Sequence, residues 1–182
     1  MKKLFLIIII LSGLLFITQS CSAQKVVVNR EVDSTTDGKM LLGAQTLSQF
    51  EKEPYNVWYQ PEYDEYAIHQ ETLDALKKEK FNSYSITVFL GTWCEDSHRD
   101  FPRFMKIAEA LKYPENKLTI IAVSRKKESP AGEEAKFNIQ RVPTFIVSKY
   151  GKEIGRITEF PTSGYLEKDL LEIIKKDNTS IK

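Results

Sequence analysis

From Ser85 to Lys176 the chain changes its hydrophobic period at regular intervals, and few architectures accommodate the resulting order. Four short apolar runs, SITVFLG, KLTIIAVS, VPTFIVSK and EIGRITEF, read as strands. Between and after them stand CEDSHRDFPRFMKIAEALK and YLEKDLLEIIKK, both with helical spacing, and a weaker helical piece near GEEAKFN. Parallel neighbours need a crossover that a helix supplies, whereas the short turn YGK joins its two runs as an antiparallel hairpin. The predicted order is β-α-β-α-β-β-α, a mixed α/β sheet with helices on both faces.

Ahead of this alternation, the N-terminus opens with Lys2 and Lys3, continues through the apolar run Leu4 to Ile17 and ends in TQSCSAQ. That run is short for a membrane span and has the layout of an export signal, so residues 1–20 are set apart from the fold as a signal peptide. Two processing routes fit the boundary. One is lipidation of Cys21 behind the small residue Ser20, as in a bacterial lipoprotein; the other is a cut after Ala23 that releases a soluble periplasmic or secreted protein. The expected location is the periplasmic side of a bacterial membrane, with or without a lipid anchor. Either route leaves Cys94 as the one cysteine of the folded part, so a stable disulfide can form only with another molecule.

A chain of 182 residues with 42% hydrophobic content buries one substantial core. Residues 21–43 read as a tether with one hairpin, DSTTDGK supplying the turn between VVV and MLL. Residues 44–182 form the domain, its core at about 81–176. In the N-terminal extension of that domain, Pro54 and Pro61 divide the first half into short pieces, and Ile68, Leu73 and Leu76 have helical spacing. Tyr55, Trp58, Tyr59, Tyr63 and Tyr66 are expected to form a packing layer that fastens this aromatic-rich, partly helical extension to the sheet. Taking Lys2 and Lys3 from the 26 Lys and Arg residues leaves 24 basic against 25 acidic residues, with no long block of one sign. Nucleic acid is not an expected partner.

Four features in order resemble the thioredoxin family. Trp93-Cys94-Glu95-Asp96-Ser97 resembles the family's Trp-Cys-x-x-Cys site at a strand-to-helix junction. Pro102 falls where the active-site helix of that family is kinked, RVPTFIV resembles the loop with a cis proline, here Pro143, and SKYGKEIGRI resembles the closing hairpin. The likeness covers most of residues 81–176 and implies the thioredoxin fold. It also implies a reactive Cys94 at a helix N-terminus, where unpaired N–H groups and the helix dipole favour a thiolate. Trp93, Val142 and Pro143 would line a groove in which a client peptide pairs with the Val142 backbone, much as an added strand would.

The departures define the expected activity. Ser97 stands where the family usually has its resolving cysteine; its hydroxyl can donate a hydrogen bond to a thiolate but cannot displace a bound partner. Val88 stands where many members bury a proton-accepting acid, a consistent loss because no second thiol remains to be deprotonated. Glu95 and Asp96 oppose negative charge on Cys94 and a protonated His98 favours it, while Asp96 and Asp100 read as solvated helix residues.

The resulting expectation is a monothiol Cys-x-x-Ser protein, catalytic through Cys94 and Ser97, that exchanges thiols and disulfides with client proteins or a low-molecular-weight thiol. It isomerises disulfides, removes thiol caps or traps clients, and it depends on an external thiol for release. The alternative is a non-catalytic binding or chaperone-like module. A thiol peroxidase fits less well, since no proline stands in VFLGTW before Cys94. No cofactor is expected and no metal, because beside Cys94 and His98 only His69 and carboxylates remain to complete a shell.

Overall fold

The computed structural model describes residues 27–180. The leader, Cys21 and Ala23 lie outside these residues. Six strands, β1 (Arg30–Ser34), β2 (Gly38–Gln45), β3 (Ser85–Leu90), β4 (Leu118–Ala122), β5 (Thr144–Lys149) and β6 (Lys152–Thr158), form one sheet in the order β1-β2-β4-β3-β5-β6. The helices are α1 (Asn56–Glu65), α2 (Gln70–Lys78), α3 (Glu95–Ala110), the short α4 (Glu133–Lys136) and α5 (Leu166–Ser180).

Only β3 and β4 run parallel, joined through α3, and β5 and β6 follow antiparallel as the hairpin around Gly151. Gly151 takes φ +77 there, a left-handed conformation in which a Cβ is strained. The mixed sheet expected from the alternation is present, with the order and strand directions of a thioredoxin-like fold.

Side-chain alternation on the central strands divides the core in two. Ile86, Val88 and Leu90 of β3 and Phe145 and Val147 of β5 belong to the larger cluster, into which all four long helices pack. Phe89, Ile121, Val123 and Ile146 belong to a smaller cluster on the other side, closed by Ile139, Val142 and Phe137. Both faces are covered, but unequally: one takes four helices, the other little more than α4 and its flanking loops.

The N-terminal segment departs from a tether. A hairpin turning within DSTTDGK is there, β1 against β2 with Asp33 opposite Lys39, but its first strand is Arg30–Ser34 and not the VVV run, and β2 continues into the main sheet, pairing Gly43 with Ala122 and Gln45 with Ile120. The boundary drawn after residue 43 therefore falls inside a strand. Local composition reads as loop because β2 carries two glycines, and pairing with β4 supplies the partner that the local signal lacks.

Pro61 lies inside α1 rather than ending it. An internal proline costs a helix about 3 kcal/mol, so α1 holds because of what it buries. Phe50 contacts the rings of Tyr55, Trp58, Tyr59 and Phe101, the last at a centroid distance of 4.6 Å. Tyr55 and Tyr59 are buried in the larger core and Trp58, Tyr63 and Tyr66 pack against it. The aromatic segment is a packing layer, and it packs on α3.

The junction between α1 and α2 is held by a carboxylate. Glu167, fully buried in the first turn of α5, accepts from Tyr66 Oη at 2.6 Å and from the His69 backbone N–H at 2.8 Å. A buried acid needs such donors to offset lost hydration. His69 in turn caps α2, its ring nitrogen within 2.9 Å of Thr72 Oγ1.

Candidate functional site

The thiol sits where β3 hands over to α3. Cys94 is the N-cap residue of α3, with extended backbone angles (φ −109, ψ 120) and its carbonyl accepting from His98 N–H at 3.0 Å. Its side chain makes no cap hydrogen bond; Sγ donates instead to the carbonyl of Val142 at 3.3 Å. The Val142–Pro143 peptide is cis. Cys94 is half-buried and free, packed with Trp93 and Phe137 at the margin of the smaller core cluster. Cys94, Trp93, Val142 and Pro143 are thus brought together, although residues 94 and 142 are far apart in the chain.

Trp93 is held by two constraints. Its Nε1 donates to the Val123 carbonyl at 2.9 Å, and its ring lies over Gly91, where an added Cβ would stand 2.6 Å from Trp93 Cε2. The glycine in VFLGTWC therefore makes room for the indole. Two cations meet that indole, Arg125 at 5.1 Å and Lys127 at 5.6 Å from the ring centroid.

Arg125, just past the end of β4, is anchored by the neighbouring hairpin. Asp37, at the tip of the β1–β2 hairpin, accepts from Arg125 Nε at 2.9 Å and from its terminal nitrogen as well. Hydrogen bonding to Arg125 holds the Asp37 carboxyl well below the usual range. The Arg125 guanidinium is shifted up, first by Asp37, with the charge of Cys94 among the smaller causes. A positive charge therefore lies within electrostatic reach of the sulfur. Thr92 ties the same hairpin to the site, its Oγ1 accepting from Leu41 N–H at 3.2 Å. No pattern in the sequence links Asp37 to Arg125.

Ser97 is fully buried and faces away from the role expected of its hydroxyl. Its Oγ accepts from Gly91 N–H at 3.2 Å, and Cys94 is not its partner. The serine braces the strand-to-helix turn on which Trp93 and Cys94 sit.

His98 likewise differs from expectation. Its Nε2 lies 2.9 Å from the Thr92 carbonyl, and its ring stacks on Trp58 with centroids 4.3 Å apart. Burial is the first cause of a pKa below the usual 6.5, only partly offset by the Thr92 carbonyl. A neutral imidazole at pH 7 adds no positive charge beside Cys94.

Asp100 is buried, not solvated, at 2% exposure. Both of its oxygens are taken by Arg99, at 3.0 and 2.8 Å, and Arg99 also reaches Asp96 at 2.8 Å. Three polar residues in adjacent turns read as a solvated face in sequence. The bidentate neighbour is what allows one of them inside. Val88 is fully buried and apolar in the larger core. Among the described residues, no group of three or more His, Cys, Asp or Glu side chains is arranged to hold a metal ion.

No family model matches the chain, and no curated protein matches it. Solved structures do. A Pseudomonas aeruginosa protein of unknown function is similar at 13% identity and a TM-score of 0.57, over 75% of this chain and 93% of its own. An HIV epitope-scaffold protein is similar at 12% identity and a TM-score of 0.56, with the same coverage. Thioredoxin from Fasciola hepatica matches at 21% identity and a TM-score of 0.37, over 57% of this chain and 88% of that one. The fold is thioredoxin-like. Strand order and direction carry that statement, together with the cis proline loop against the N-terminus of the helix that follows β3.

Proposed function

We propose that the protein carries out single-thiol thiol–disulfide exchange at Cys94. The observation that supports this reading most is the position of the sulfur. It is half-buried at the tip of a 16-residue helix, against the Val142 carbonyl and within the field of Arg125.

In the first step Cys94, having lost its proton to solvent, attacks one sulfur of a client disulfide or thiol-capped cysteine. A bond forms between that sulfur and Cys94, the client's S–S bond breaks, and the other sulfur departs as a thiolate. Ser97 carries no thiol, so a thiol from the client or from a small molecule attacks the mixed disulfide, leaves in a new disulfide and restores Cys94. Trp93, Val142 and Pro143 form the client's binding edge. A strand pairing with the Val142 carbonyl displaces the Cys94 hydrogen bond there, freeing the sulfur as the client arrives. Export suits this chemistry because disulfides persist outside the cytoplasm; the chain then carries lipid on Cys21 or is released after Ala23.

The test is a decapping assay on a peptide whose cysteine bears a small thiol cap, with an external thiol supplied. Multiple turnovers by the wild type and none by Cys94→Ala support the enzyme. Equal peptide binding by both, with no decapping by either, indicates a binding module instead.

A further inference from the structure

One cavity among the described residues lies away from Cys94. It measures about 560 Å³ and opens between α1 and the C-terminal half of α3, within the usual size range of small-molecule sites. Met105, on its floor, is eleven residues along α3 from Cys94, which at helical rise is roughly 16 Å.

Its chemistry is uneven. Tyr59, Tyr63 and Met105 give it an aromatic and apolar interior, and Glu51, Glu109 and Glu115 bring three carboxylates to its lining against one cation, Lys112. Lys106 lies against the ring of Tyr63 with its amine already given to the Asp64 carbonyl.

Tyr59 supplies an independent observation. Its side chain is 4% exposed, yet its hydroxyl has no hydrogen-bond partner among the described residues. Among the described residues, the sealed side-chain polar atoms without a partner are Gln45 Oε1 and Asn56 Oδ1. The Tyr59 hydroxyl therefore reaches open space, and the space it borders is this cavity. Burial raises its pKa, and the negative charges of Glu51 and Glu109 raise it further, so both carboxylates act at the phenol from the cavity lining.

We infer that this cavity is a binding site for a small organic cation: an ammonium group attached to an apolar body. The body lies against Tyr59, Tyr63 and Met105, and the ammonium donates to the Tyr59 hydroxyl and the Glu51 and Glu109 carboxylates. An anion meets three like charges, and a neutral apolar molecule leaves the hydroxyl and carboxylates unanswered.

The test uses phenethylammonium as the probe, with 2-phenylethanol as its neutral counterpart, titrated into the full chain and followed by backbone amide shifts. Shifts centred on Glu51, Tyr59 and Glu109 are expected, with the alcohol at least about tenfold weaker, as for loss of a charged hydrogen bond. The Glu51→Gln/Glu109→Gln variant, changed at two exposed positions, is expected to weaken the ammonium by a similar factor while its remaining spectrum stays superimposable. Absence of saturable shifts at millimolar probe, equal binding of the alcohol, or shifts centred elsewhere would overturn the inference. Decapping at Cys94 is measured separately, so either reading can fail without the other.

Discussion

Trp58 of the N-terminal aromatic segment stacks on His98 of the thiol-bearing helix, their rings 13° from parallel. This contact makes α1 part of the site's support, and with burial it keeps the imidazole short of water. The protonated form is disfavoured in the fold, which sets the sign of its pH dependence.

With a folded pKa below 6.5, His98 contributes stability that is fully present above pH 6.5. As pH falls below 6.5 the unfolded chain takes the proton first, and stability declines until the pH reaches the lower folded midpoint. The His98 ring signals in an NMR titration should show a midpoint below 6.5. A Trp58→Ala variant should bring it closer to 6.5.

The positive charge of Arg125 beside Trp93 should favour negatively charged partners at the site. Arg125→Ala should slow reaction of Cys94 with the dianionic dithiobis-nitrobenzoate reagent by about threefold to tenfold, and the effect should shrink in salt. Reaction with neutral dithiodipyridine should change much less. Asp37→Asn, which releases the guanidinium from the hairpin, should alter the ratio of the two rates without abolishing either.

Gly91 is fixed by the indole above it. Gly91→Ala should destabilise the protein by about 1–3 kcal/mol, the usual cost of overpacking, read from chemical unfolding midpoints. It should also change tryptophan emission as Trp93 leaves the Val123 carbonyl.

Ser97 has two separable roles to test. Ser97→Ala leaves the buried Gly91 N–H without its acceptor and should cost about 1–3 kcal/mol. Ser97→Cys adds the thiol that the native site lacks and should release a client from Cys94 without any external thiol.

The strands and long helices were legible because each buried strand alternates against two faces and each long helix carries one apolar stripe. The thiol, its tryptophan and the cis proline loop were legible because they lie in local motifs. What escaped the sequence depends on contacts between distant residues. Asp37 holds Arg125 across 88 positions, β2 finds its partner only when β4 is in place, and α1 runs through Pro61 because Phe50 and Phe101 cover it. Asp100 looked solvated because its composition gives no sign that Arg99 folds back over it, and Ser97 looked aimed at Cys94 because helical spacing does not reveal that Gly91 N–H is closer to hand.

The most direct measurement is peptide-mapped mass analysis of the native protein after brief exposure to an excess of a thiol-capped peptide, before and after adding a small thiol. The account predicts a single disulfide adduct of the cap on Cys94, formed as the peptide leaves as a free thiol, that accumulates in the excess of capped peptide and persists until the small thiol is added. A Cys94 that stays unmodified in the native state, or an adduct that leaves with no thiol present, would contradict it.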